Sequence, residues 1–196
     1  MKKVGALTLF ILLGLVLTGC ASALPEKEKT EVTRVEVHPN HFFDPQCFDP
    51  QPVVGDHSAG EIYGAVVPHH LLAHGLIAQV MQKLQAAPPS VVVVVGPNHW
   101  NKGERMLTSS WDWQTPFGTV EADQEAIAKL LAQSPVKKDD AVFSAEHSIG
   151  NLMPFIKYYL PQAKVVPLIL HHDVTKKEAG VLADLLTELI GEEGVI

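Results

Sequence analysis

Five consecutive valines, Val91 to Val95, constrain this chain more than any other feature. A run of β-branched side chains with no polar residue at alternate positions cannot leave one face of a strand in water. It reads as a strand covered on both faces, which places helices above and below a mostly parallel sheet. The preceding residues fit that reading. Ile62 to Val67 is a short apolar run stopped by Pro68, the pattern of a buried strand. Leu72 to Gln85 carries Ala73, Leu76, Ile77, Val80 and Leu84 at helical spacing, and Pro88-Pro89-Ser90 breaks it. Residues 62–95 are therefore expected to form a strand–helix–strand unit. Its two strands would be parallel and adjacent, joined by a right-handed crossover.

Further along, Met106 to Trp113 and Gly118 to Ala122 read as two short strands around the turn Thr115-Pro116-Phe117-Gly118. Gln124 to Gln133 and Asn151 to Leu160 read as helices, the second with Pro154 in its first turn. Lys164 to Leu170 is a third core strand. Thr175 to Ile190 is an amphipathic helix whose Thr175 and Glu178 have the spacing of a capping box. Gly191 ends it, and Gly194-Val195-Ile196 begins what reads as a fourth core strand, so the domain reads as incomplete at its C-terminus. No internal repeat is present. The expected fold class is α/β, a three-layer sandwich around a central, mostly parallel sheet.

The first residues read as a targeting signal. Met1-Lys2-Lys3 is a positive start, and Val4 to Thr18 is an apolar run too short to span a bilayer comfortably. It ends in Leu17-Thr18-Gly19-Cys20, which looks like a bacterial lipobox, where cleavage precedes a cysteine that is then acylated. A plain signal peptide or an uncleaved anchor is the other reading. The lipobox reading gives a lipoprotein signal peptide over 1–19, a tether over 20–36, and a folded domain over 37–196. It makes Cys20 the lipidation site and the membrane a partner through the lipid anchor. The chain would then lie on the extracytoplasmic side of a bacterial cell envelope. Removing residues 1–19 takes Lys2 and Lys3 away, so the formal charge moves from −7 to −9. Such a balance offers no basic face for nucleic acid. It also leaves Cys47 as the one thiol not committed to lipid, which excludes an internal disulfide.

Ten histidines are the compositional oddity. His69 and His70 follow the first expected strand, and His99 follows the valine run. In open α/β sheets, ligand sites lie outside the carboxyl ends of the strands. Parallel strands would bring these imidazoles to one edge, where His69 and His99 could supply half of a metal site. Spacing alone equally permits satisfied structural histidines at loop starts. Glu146-His147-Ser148 stands at the start of a helix. Either Ser148 caps that helix with Glu146 and His147 solvated, or the carboxylate orients the imidazole for acid–base work or metal binding. His171 and His172 end a core strand and read as a surface loop beside Asp173. His38, His41 and His57 read as peripheral, and His74 as a core-edge histidine.

Pro68-His69, Gly96-Pro97-Asn98-His99, Thr115-Pro116-Phe117-Gly118 and Glu146-His147-Ser148-Ile149, in this order, resemble the MEMO family. Its bacterial members are often called AmmeMemoRadiSam system protein B. Pro154-Phe155 and Val166-Pro167 continue the pattern, and the likeness runs from about Phe42 to the end. The family is similar in fold to the class III extradiol dioxygenases, which hold non-haem iron(II). The resemblance implies a metal-site role for His69 and His99. The sequence departs from the family pattern at Pro68-His69-His70-Leu71-Leu72, where Pro-His-Ala-Gly-Tyr is usual. The family's next motif, an Asp and a His, and its final ligand position would fall beyond Ile196.

Two functions follow as expectations. One is a metal-dependent oxidoreductase acting on a small molecule, with iron or copper as the divalent metal on His69 and His99, and with Glu146 and His147 as catalytic groups on the rim of the cleft. The other is a non-catalytic protein that binds a metal or a peptide on the same scaffold. A membrane-tethered domain with purely structural histidines is the third reading.

Overall fold

The computed structural model describes residues 36–48, 62–191 and 194–196. The expectations for residues 1–35, the signal, Cys20 and nearly all of the tether, lie outside the described residues, as does His57.

The valine run forms β2 (Val91–Pro97), and β7 (Lys164–Leu170) pairs with it in parallel along its whole length, Val91 opposite Lys164 and Pro97 opposite Leu170. On its other side β2 pairs in parallel with β8 (Gly194–Val195). β3 (Met106–Thr108) runs antiparallel to β7, and β6 (Lys137–Lys138) lies parallel to β3. The five-stranded order is β6-β3-β7-β2-β8, with three of its four pairings parallel. A smaller sheet, β1-β4-β5, joins β1 (Val37–His38), β4 (Asp112–Thr115) and β5 (Gly118–Val120).

Alternation along the strands divides the core into two faces, as strand geometry requires. Val92, Val94, Val165 and Ile169 pack with Ile77, Met81 and Leu84 of α1 (His74–Leu84) and with Phe155 and Ile156 of α5 (Met153–Tyr159). Val93, Val166 and Leu168 pack with Ile127 and Leu130 of α2 (Gln124–Gln133) and with Leu182 and Leu186 of α6 (Lys176–Ile190). Helices on both faces of a mixed sheet make this an α/β fold. The valine run is buried on both faces over Val92 to Val94, while Val95, at the carboxyl end, is 41% exposed. The capping box of α6 forms as its spacing predicts: Thr175 Oγ1 accepts from the Glu178 N–H, and the Glu178 carboxylate accepts from the Thr175 N–H.

Three expectations need correction. Residues 62–67 are not a buried strand beside β2, because β8 occupies that position. The segment is extended and largely exposed, fastened to the end of β8 by the Ala65 N–H to Ile196 O bond (2.9 Å) and the Ile196 N–H to Tyr63 O bond (3.2 Å). Met106 to Trp113 is not one strand. It leaves the large sheet after Thr108 and joins the small one at Asp112, so its two halves serve different sheets. His38 is not peripheral either. It is 1% exposed, ringed by Trp111, Trp113 and Phe143 of α3 (Asp140–Phe143), and bonded to Ser109 Oγ (2.7 Å) and Ser144 Oγ (3.1 Å).

Pro167 explains where β3 departs. Strand N–H groups point alternately to either side, and Val165 donates to Glu121 O on the β3 side while Lys164 donates to Ser90 O on the β2 side. The N–H that proline lacks would therefore face the β3 side. There the partner of β7 changes: residues 121–123 bond Val165, and β3 pairs only from Leu168 onward. A central-strand proline is tolerated because it falls in the gap between two partners.

Candidate metal centre

Three segments deliver three imidazoles to the carboxyl edge of β2. His99 follows β2 in a loop closed by Asn98, whose Nδ2 donates to Lys102 O (2.7 Å) and whose Oδ1 accepts from the Lys102 N–H (3.2 Å). His69 ends the extended segment 62–69, and its carbonyl oxygen accepts from Asn151 Nδ2 (2.7 Å). His147 opens α4 (His147–Gly150). Ring centroids lie 5.0 Å apart for His69 and His99, 5.5 Å for His69 and His147, and 4.0 Å for His99 and His147. One ring nitrogen from each lies within 4.8 Å of the others.

Glu146 is the organising group. It is fully buried, and Oε1 accepts from His99 Nδ1 (2.6 Å) and from the Ser148 N–H (2.9 Å), while Oε2 accepts from the His99 N–H (2.9 Å). Burial alone would raise its pKa. The hydrogen bonds from Ser148 and His99 outweigh burial and hold the carboxyl below the usual carboxylate range. An ionised Glu146 assigns the His99 proton to Nδ1, which leaves Nε2 with its lone pair for a ligand. Burial, and next the neighbouring His99, depress the pKa values of His69 and His147, which favours neutral imidazoles. Neutral imidazole nitrogen is what a divalent metal binds.

Close packing brings α4 to this edge. A Cβ on Gly96 would stand 2.6 Å from Ser148 Oγ and 2.9 Å from Ser148 Cβ. Its absence lets Ser148 Oγ donate to Pro97 O (2.9 Å) and lets Glu146 reach under His99. Gly150 likewise admits the Phe42 ring, which packs 6.1 Å from His147.

Among the residues singled out from the sequence, His69, His99, Glu146 and His147 come together. Glu146 and His147 do not form a rim: the first lies beneath His99 and the second faces the other two imidazoles. His171 stays outside the group, its Nδ1 bonded to Asp173 Oδ1 (2.7 Å) and its ring stacked on His172. His70 caps the turn Leu71–Ala73 through Nδ1, and His74 bonds Leu71 O. Cys47 is buried and free. Helix-start spacing gave no distance for His147, so its place as third imidazole emerges only with the fold. Donor chemistry fits a metal: three imidazole rings each offer a nitrogen, and one of the rings is backed by a carboxylate.

The sequence profile of the family described as Memo-like protein matches residues 45–196. This chain belongs to the MEMO family. A MEMO1 family protein of Pyrobaculum aerophilum is 35% identical over 128 residues, covering 62% of this chain and 46% of that protein. Another, from Pyrobaculum arsenaticum, is 30% identical over 79% of this chain and 56% of its own length. One from Thermotoga maritima is 32% identical over 66% and 48%. The chain thus spans about half the length of the MEMO relatives it matches.

Proposed function

We propose that this MEMO-family chain binds one divalent metal, iron or copper, through His69, His99 and His147, and handles a small molecule at the carboxyl edge of β2. The observation that carries the reading is the meeting of three imidazoles within 4.8 Å, one of them oriented by a buried carboxylate. A chamber of about 340 Å³ adjoins the site, walled by His69, Gly96, Pro97 and Ser148 at one end and by apolar residues including Val80, Val94 and Ile156. That volume suits a small ligand, and the lining suits an apolar one.

A bound divalent metal would supply Lewis acidity or electron transfer. The chain's own residues do the rest. Glu146 fixes the tautomer and direction of His99, and the depressed pKa values of His69 and His147 keep both available as neutral donors. In this reading Glu146 is a positioning residue. Its hydrogen bonds are taken by the His99 ring, the His99 N–H and the Ser148 N–H, and His147 Nδ1 stands 3.7 Å from Oε1, so the carboxylate braces two of the three imidazoles. The same observation favours a second reading, a site that binds a metal or a peptide without turning anything over. The likeness to class III extradiol dioxygenases belongs to the first reading. Metal analysis after loading with Fe(II) or Cu(II) tests the site, and oxygen uptake with catechols separates the two readings.

We place the protein in the bacterial cell envelope, anchored through Cys20. The sequence of the first twenty residues supports this. Among the described residues no helix is long and apolar enough to cross a membrane.

A further inference from the structure

Residues 146–151 engage all three histidines: His147 is one of them, Glu146 holds the His99 ring, and Asn151 Nδ2 donates to the backbone carbonyl of His69. The last contact is not needed by the helix. The Asn151 N–H already donates to His147 O (3.1 Å), and the side chain turns away to another segment. Asn151 is 7% exposed, and its Oδ1 has no hydrogen-bond partner among the described residues. A buried amide satisfied on only one side is a weak stabiliser, because the orphaned acceptor loses its hydration. A leucine of similar size would serve the core about as well.

His69, in contrast, has little else to hold it. The backbone bonds of its segment to Ile196 end at Ala65, four residues earlier. Among the described residues, the Asn151 amide makes the one hydrogen bond to the chain between Ala65 and His70. We infer that Asn151 is a positioning residue, which sets His69 against the other two imidazoles instead of stabilising the fold. This rests on the metal reading above.

The test measures two quantities on the full chain: the melting temperature in EDTA, and Co(II) binding followed by visible absorption. For Asn151→Leu the expected melting temperature is within about 4 °C of wild type, the shift that about 1 kcal/mol produces in a domain of this size. Its Co(II) affinity is expected to fall at least about tenfold, the range seen when a group orienting a metal ligand is lost. His69→Ala, run alongside, should lose the Co(II) signal. Unchanged affinity in Asn151→Leu, with the signal lost in His69→Ala, overturns the inference alone. An affinity loss that only accompanies a large loss of melting temperature assigns Asn151 to the fold and also overturns it. Wild-type protein that takes no Co(II) overturns the metal reading and the inference with it. If the leucine variant does not fold, Asn151→Ala is judged by the same two measurements.

Discussion

His99 Nδ1 lies 2.6 Å from Glu146 Oε1, and the His99 backbone N–H meets the other oxygen of the same carboxylate at 2.9 Å. One buried side chain thereby fixes both the loop and the ring of a candidate ligand. Glu146→Gln should disturb both. Its amide can present oxygen to the ring only by turning its NH2 toward the His99 N–H, two donors facing each other. Metal affinity is expected to fall about 10–100-fold, and stability by roughly 1–3 kcal/mol. Metal titration and urea unfolding would read the two effects.

His69→Ala and His99→Ala should each abolish stoichiometric binding of iron or copper, and His147→Ala should do the same. His171→Ala should leave it intact, because His171 is committed to Asp173 outside the group. Elemental analysis of the loaded, desalted proteins checks all four.

Acid should destabilise the fold through His38. Burial lowers its pKa from 6.5 to about 4, against a smaller opposite effect of Asp140. The native ring is neutral, bonded to Ser109 and Ser144, and Ser109 in turn donates to Asp140 Oδ1. Above about pH 6.5 the ring is neutral folded or unfolded, and its contribution is complete. As pH falls from 6.5 toward 4, the unfolded chain takes up a proton that the folded one refuses, and about 3 kcal/mol is lost. His69 and His147, also depressed, act in the same direction. Urea midpoints at pH 7 and pH 5 should therefore differ less in His38→Gln than in wild type.

Gly96→Ala should be costly for so small a change. The new methyl would stand 2.6 Å from Ser148 Oγ, so α4 must retreat from β2. Overpacking of this kind costs roughly 1–3 kcal/mol. Metal affinity should fall too, because Glu146 and His147 ride on the displaced segment. Thermal melts and metal titration give both readings.

The proposed lipid anchor is tested by fractionation. Wild-type protein should pellet with membranes, and Cys20→Ser should be released or mislocalised, since stable attachment needs the multiply acylated cysteine. Freely soluble wild-type protein with an unmodified Cys20 would count against the anchor.

The sequence was most informative where a single local signal decided the structure. The β2 valines, the helix Gln124–Gln133, the strand Lys164–Leu170 and the Thr175 cap all follow from periodicity or capping chemistry, and each forms at the expected place. It misled where neighbours in space are distant in sequence. Residues 62–67 carry a strand pattern, yet β8, about 130 residues later, takes the place beside β2. His38 looked like one of several leading histidines, and only the indoles of Trp111 and Trp113 closing over it make it a core residue. At the site, strand ends pointed to His69 and His99. That His147 faces them depends on Gly96 admitting α4, a contact between residues about fifty apart.

Pro167 also acts as a register key. In the native pairing its missing donor faces a gap, so no rung is lost. Sliding β7 by two residues would set the proline opposite a carbonyl of residues 121–123 or of β3, and that carbonyl would be buried without a partner. Slipped alignments of a strand made almost wholly of apolar residues are otherwise hard to tell apart by burial alone, since either face accepts Val, Ile or Leu. The proline separates them by a hydrogen bond, and thereby fixes how far β7 carries Leu170 and the two histidines beyond it toward the ligand edge.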